Sequence, residues 1–294
     1  MSARMQVAIL PGARLHLNDG PIDLVIGADG DAAHMRRAYA AATRRFSGLL
    51  DELCDERPLL RAAMTRDCEL PFGVVARRMD AAARPLAHDR FITRMAAVAG
   101  AVADEILAAM LAAAPLRRAY VNNGGDIAVH LAAGQSFAIG LVERPDRPSL
   151  FGNARIRAVD PVRGIATSGW RGRSFSLGVA DAVTILARDA AGADAAATLV
   201  ANAVDLPGHP GVERAPAAEF DPQSDLGDRL VTRAVGPLAA DEIETALRCG
   251  VAEARRLIEA GAIEAAALRL AGETKTIGRL RMETIEATRE EAAQ

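Results

Sequence analysis

Residues 120–130, YVNNGGDIAVH, set two apolar runs on either side of a pair of glycines. Ala119, Tyr120 and Val121 lead in, and an alternating run from Ile127 to Leu131 leads out. Both flanks have strand character, so Asn122, Asn123, Gly124, Gly125 and Asp126 predict a tight break between two strands. Glycine lets the backbone turn with positive φ and come close to a ligand. Asn and Asp beside it put hydrogen-bonding groups at the point of approach, which suits an acceptor-rich ligand such as a nucleotide diphosphate. The same residues also read as a plain β-hairpin turn.

Outward from this stretch the pattern is mixed α+β. Residues 6–10, 22–26, 118–122, 126–131, 137–142, 154–158, 164–167 and 180–187 carry strand character, and 263–270 closes the chain as a last strand. Helices are predicted from Asp31 to about Leu53, with Asp29 or Asp31 as cap, and over residues 88–111, 192–204 and 241–260. On the last helix Ile243, Leu247, Val251, Ala254 and Ile258 share a face, and Gly261 suits its C-terminal cap. Residues 55–85 are broken by Pro58, Pro71, Gly73 and Pro85, and 206–237 reads as a surface excursion. The expected fold class is α+β, helices covering one side of an antiparallel sheet. Residues 1–280 are expected as one domain, two intertwined subdomains being the alternative, and 281–294 as a polar C-terminal tail, frayed or disordered.

The chain has 294 residues, half of them hydrophobic, and a net charge of −3. That length can bury a large core, and the charge offers no basic field to nucleic acid. Lys275 is the only lysine, in a C-terminal position that argues against lysine-based covalent catalysis. Cys54, Cys68 and Cys249 have no metal spacing and are expected as small apolar fillers in a reducing compartment. None of the five histidines sits in a metal pattern. No stretch reads as approaching the ~20 apolar residues of a bilayer span. A cytoplasmic protein without nucleic-acid or membrane partners is expected, with homo-oligomerisation left open.

Asp194 and Thr198 stand four apart on a predicted helix and project from one face. A carboxylate and a hydroxyl so placed can share a hard cation such as Mg²⁺, completed by carbonyls, water and phosphate oxygens. They also read as an acid near a helix N-terminus and a Thr bonded to its own helix. Thr167, Ser168 and Gly169 end a strand, where amides and hydroxyls can meet a phosphate or form an ordinary turn. Trp170, Arg171 and Arg173 follow; they can stack on a ring and pair with phosphate, or decorate the surface. Asp181 is a candidate acid, base or supporting group, or else an Asp that bonds nearby amides.

Four segments occur in order: MAAVAGAVADEI (residues 95–106), NNGGDI, GIATSGWRGRSFSLGVADAVT (164–184) and AGADAAATLVAN (191–202). Together they resemble the ApbE-like superfamily, whose best-known members are FAD-dependent flavin transferases, and they are most similar to its uncharacterised branch. The resemblance implies a T-fold-related architecture. It implies Mg²⁺ held by Asp194, Thr198 and the backbone carbonyl of Ala96, beside the diphosphate of FAD. Asn122–Asp126 would contact the ring or ribose and Thr167–Gly169 the phosphates, with Trp170, Phe175 and Tyr120 the stacking candidates.

Two positions depart from the transferases. Ala99 stands where they carry lysine, and residues 174–181 lack the His, D-P and T-G of their H-I-I-D-P-x-T-G segment. FMN transfer is therefore not the expected activity. The expected function is a Mg²⁺-dependent flavin- or nucleotide-handling enzyme with transferase or pyrophosphatase-type chemistry. One alternative is an enzyme of folate-like C1-carrier (tetrahydromethanopterin) synthesis or C1 metabolism that binds a pterin-like ligand. The other is a non-catalytic binding or assembly protein.

Overall fold

In chain order the elements are β1 (Gln6–Leu10), β2 (Arg14–Asp19), β3 (Ile22–Asp29), α1 (Ala32–Phe46), α2 (Leu49–Asp55), α3 (Arg57–Arg61), α4 (Val74–Ala83), α5 (Val98–Ala113), β4 (Arg118–Asn123), β5 (Asp126–Leu131), β6 (Ser136–Val142), β7 (Leu150–Arg157), β8 (Gly164–Ser168), β9 (Ala182–Ala187), α6 (Ala190–Ala203), β10 (Val212–Pro216), β11 (Leu230–Val235), α7 (Ala240–Glu259), β12 (Ala265–Leu270), β13 (Glu273–Gly278) and β14 (Met282–Thr284). The structure, a computed structural model, describes residues 4–65, 67–88, 90–142, 150–279 and 282–284.

Nine strands form one antiparallel sheet in the order β1-β2-β3-β4-β5-β8-β9-β12-β13. Successive side chains alternate between its faces. One face presents Ala119, Val121, Ala128, Ala166, Val183, Ile185, Ala266 and Leu268 to the helices α1, α4, α5, α6 and α7, and this is the main core. The other presents Val129, Leu131, Ile165, Leu186, Ala265 and Ala267 to a small sheet of order β14-β7-β6. The α+β layout with helices on one side of an antiparallel sheet is thus observed.

Several local expectations change. β6 and β7 belong to the separate small sheet, because their apolar face covers the main sheet rather than extending it. Two further strands, β2 and β13, close hairpins at the two edges of the main sheet. The predicted helix from Asp31 breaks at Ser47 and Gly48, where Gly48 takes φ +82°; Asp31 does cap its start, accepting from the Ala33 amide at 2.8 Å. Within the irregular 55–85 stretch lie α3 and α4, tied down by Arg94. That side chain is fully buried and donates to Asp80 (2.7 Å), the Leu59 carbonyl (2.9 Å) and the Glu69 carbonyl (2.7 Å).

The helix expected from residue 88 begins instead with a 3-10 turn, Arg94–Ala97, capped by Thr93. The excursion at 206–237 carries the β10–β11 ribbon. In the expected polar tail, Met282–Thr284 pairs with β7, and residues 285–294 lie outside the described residues. Cys54 and Cys249 are exposed rather than core fillers, and Cys68 bonds Thr65. Contrary to expectation, one helical stretch, Arg94–Ala113, is long and apolar enough to cross a membrane, with mean hydropathy 1.7. Its apolarity is used in the fold, where Gly100–Ala103, Ile106, Leu107 and Met110 are buried in the main core.

Candidate functional site

The β4–β5 turn is a two-residue hairpin in which Gly124 and Gly125 take φ +66° and +116°. Asn122 braces it by accepting from the Gly125 amide at 2.8 Å. Asn123 and Asp126 are register partners, so both side chains leave the same face of the sheet, the helix side. Asn123, buried, donates to the Ala99 carbonyl at 3.1 Å. The hairpin reading of NNGGD is thus correct, and the hairpin also points its polar groups at the start of α5.

That start meets α6. The Gly100 amide belongs to the first turn of α5, where amides lack partners in their own helix; it donates to Asp194 of α6 at 3.0 Å. Conversely Asp104 of α5 accepts from the first-turn amides of α6, Ala190 at 3.1 Å and Ala191 at 2.9 Å. Each helix N-terminus is closed by a carboxylate of the other. The two helices touch because residue 100 is glycine: a Cβ there would lie 2.1 Å from the Ala190 carbonyl oxygen. Burial pushes the Asp104 carboxyl up to about 6 despite its two amide donors.

Nearly all of α6 is buried alanine, leucine and valine. Asp194, Thr198 and Asn202, spaced four apart, are its partly exposed stripe. Asn202 is taken up by Ser176 (3.2 Å) and the Leu177 amide (2.9 Å), which leaves Asp194 and Thr198 as the rest of the stripe.

Asp126 and Asp194 come together here from β5 and α6. Burial pushes the Asp126 carboxyl up to about 7, against the Thr167 amide and the Arg173 charge, which favour its ionised form. Asp194 is held well above the ordinary carboxylate range, first by burial and then by the charge of Asp126. Two desolvated acids repel one another, so the pair retains a proton or calls for a cation.

The remaining candidates divide. Thr167 donates its amide to Asp126 at 3.3 Å, but its hydroxyl pairs with Thr184 (2.9 Å) on the face away from the helices. Ser168, one residue on, falls on the helix face with Asp126. Ala96 lies in the 3-10 turn just before α5, and Arg173 lies against the hairpin turn. Gly169 closes β8 in close contact with the backbone of Asp181.

Asp181 and Trp170 stand on the same rim, past β8. Both Asp181 oxygens are engaged: Trp170 Nε1 (3.3 Å) and Arg171 Nε (2.7 Å) on Oδ1, the Ala271 amide (2.7 Å) on Oδ2. Arg171 covers one face of Trp170, 4.3 Å from the ring centre. Tyr120 is on the wrong face to stack on a ligand, packed edge-on against Phe137 at 6.1 Å. Phe175 instead neighbours Phe220 at 6.2 Å, with Arg233 over both rings.

Two surface concavities lie away from the acid pair. One of about 520 Å³ is lined by Gly30, Asp31, His34 and Arg117, and one of about 390 Å³ by Leu70, Phe72, Arg77 and Asp80.

The donors of the acid pair suit a hard divalent cation. They are oxygens only, and two carboxylates that repel each other gain from a double positive charge. Among the described residues no group of three or more His, Cys, Asp or Glu could hold a metal. Hydroxyls, carbonyls and ligand oxygens would complete the shell, as Mg²⁺ commonly requires. The signals missed in the sequence were the cap formed by Asp104 and the pairing of Asp126 with Asp194. Gly100 and Asp104 both lie in the MAAVAGAVADEI segment, so a signal for that contact was present.

Sheet and helix layer define a mixed α/β protein in which an acid pair sits where the start of β5 meets α6. The model of the family described as AbpE bacteria matches residues 7–276, and the chain belongs to that family. A UPF0280 protein of Methanopyrus kandleri is 40% identical over 129 residues, 44% of this chain and 48% of that protein. One of Archaeoglobus fulgidus is 33% identical over 137 residues, 47% and 55% of the two chains. One of Methanococcoides burtonii is 35% identical over 160 residues, 51% and 60%. The chain thus spans about half the length of the curated relatives it matches. Among solved structures, the apo form of the Pseudomonas stutzeri flavinyl transferase ApbE is similar at TM-score 0.46 and 12% identity, covering 95% of this chain and 96% of that one.

Proposed function

We propose that the protein binds a divalent cation, Mg²⁺, together with a diphosphate-bearing flavin nucleotide such as FAD, and acts as a flavin- or nucleotide-handling enzyme. One observation carries this reading: Asp126 and Asp194, far apart in sequence, come together half-buried, and the charge of Asp126 disfavours that of Asp194. Asp194, Thr198 and the Ala96 carbonyl would hold the cation, with Asp126 facing it. When bound, the cation neutralises charge on a diphosphate.

The chain's own residues supply the rest. Asn122 and Asn123 fix the glycine turn, so that Gly124 and Gly125 leave room for a ring or ribose. The Thr167–Gly169 backbone and Ser168 face the phosphates. Asp181 is a positioning residue that fixes Trp170 and Arg171. FMN transfer to protein is not included, because Ala99 and residues 174–181 lack the transferase groups.

A second reading is a pterin-like ligand of C1 metabolism in the same site, since a pterin shares the fused pyrimidine edge of a flavin. Titration of the purified protein with FAD and with a reduced pterin, each with and without Mg²⁺, separates the two. Mg²⁺-dependent FAD binding near one per chain is expected. Binding of the pterin alone transfers the site to the second reading. Binding of neither, with no response to Mg²⁺, removes both and leaves a non-catalytic assembly protein.

A further inference from the structure

Two arginines leave the loop after β8 and are committed differently. Arg171 is locked onto Asp181 at 2.7 Å and over Trp170. Arg173 is exposed and forms no hydrogen bond or ion pair with the described residues. Its guanidinium nonetheless lies against the hairpin turn: a Cβ on Gly124 would stand 2.6 Å from its Nη2 and 2.9 Å from its Cζ. From there its charge acts on Asp126. Arg173 thus rests on a bare glycine surface, two residues from a half-buried acid that it holds by long-range charge alone.

We propose that Arg173 is an exchangeable counter-ion of this site: it serves Asp126 before ligand binds, and turns onto a phosphate of the ligand once a divalent cation has taken over the acid pair. The inference rests on the cation–diphosphate reading above and adds a rule to it. A guanidinium beside Asp126 and a divalent cation at the acid pair repel each other. A cation arriving alone must therefore bind against Arg173. A cation arriving with a diphosphate gives the guanidinium a bidentate partner and is helped by it. Cation and diphosphate thus enter as a couple, with a coupling free energy supplied by one side chain. Gly124 is part of the device, since any side chain there would occupy the place of the guanidinium.

The test compares wild type with Arg173→Gln and Arg173→Lys by calorimetric titration, using Mn²⁺ alone and then the preformed Mn²⁺–pyrophosphate complex. In Arg173→Gln, affinity for Mn²⁺ alone rises several-fold while affinity for the complex falls by about tenfold, a typical coupling. Arg173→Lys keeps the charge and recovers part of the affinity for the complex. The side chain is exposed, so an unchanged unfolding temperature is expected to accompany both results. Movement of both affinities in the same direction, or of neither, overturns the inference and leaves the cation–diphosphate reading standing. A wild-type protein that binds neither Mn²⁺ nor the complex overturns both.

Discussion

Asp104 and Asp194 close each other's helices: Asp104 of α5 accepts from the first amides of α6, and Asp194 of α6 accepts from the Gly100 amide of α5. The carboxylate proposed to hold a cation is therefore also a cap for its neighbouring helix. Binding at Asp194 would therefore bear on how α5 and α6 pack.

Asp104 gives this arrangement a pH signature. Its carboxyl sits at about 6 in the fold, above an unfolded value near 3.9. The native state holds the proton more tightly, so the stability from this group is complete below about pH 4 and is lost as pH rises through about 6. Asp126, at about 7, extends the same decline. Urea midpoints of the cation-free protein should fall from pH 4 to pH 7. Asp104→Asn should flatten the lower part of that fall, and a wild-type midpoint that rises with pH would refute the assignment. Asp104→Ala should cost about 1 kcal/mol through the lost cap.

Gly100→Ala isolates the close approach. Alanine gains up to about 1 kcal/mol of helix propensity. The new methyl would meet the Ala190 carbonyl at 2.1 Å and push the helices apart, an overpacking that costs about 1–3 kcal/mol. Net destabilisation by chemical denaturation is expected, together with weaker cation binding. A stabilised variant would show that the helices are not in contact there.

Trp170 is the only tryptophan, so its fluorescence reports on the loop after β8 alone. Asp181→Ala removes the partner of Trp170, Arg171 and the Ala271 amide, and Ala271 itself has φ +47°. The emission should shift to the red and become more accessible to quenchers. Unchanged emission would mean that Asp181 does not position the loop.

Much of the layout was legible because its signals are local. The strands around NNGGDI, the amphipathic α7 and the Asp194–Thr198 spacing all follow from periodicity or motif. What escaped depends on contacts between distant segments. Thr167 turns its hydroxyl away because β8 already places Ala166 on the helix side, and the parity of a strand is set by its neighbours. Arg94 directly precedes the apolar run of α5, and only the folded chain brings it Asp80 and two carbonyls. Alternation alone also did not tell that β6 and β7 would lie over the main sheet rather than within it. The pairing of Asp126 with Asp194 has no signature in either segment taken singly.

A cation entering the acid pair must displace its proton. Apparent affinity for Mg²⁺ should therefore rise with pH up to and through about 7, where Asp126 loses its proton. Affinity that is flat between pH 5.5 and pH 8 would place the cation elsewhere.

The most direct measurement is calorimetric titration of Mg²⁺ into wild-type, Asp126→Asn and Asp194→Asn proteins at pH 7.5 in the presence of FAD. A single site in the wild type that weakens by about tenfold or more in Asp194→Asn, and measurably in Asp126→Asn, is the predicted result. Mg²⁺ and FAD binding that survives both substitutions unchanged would contradict the account.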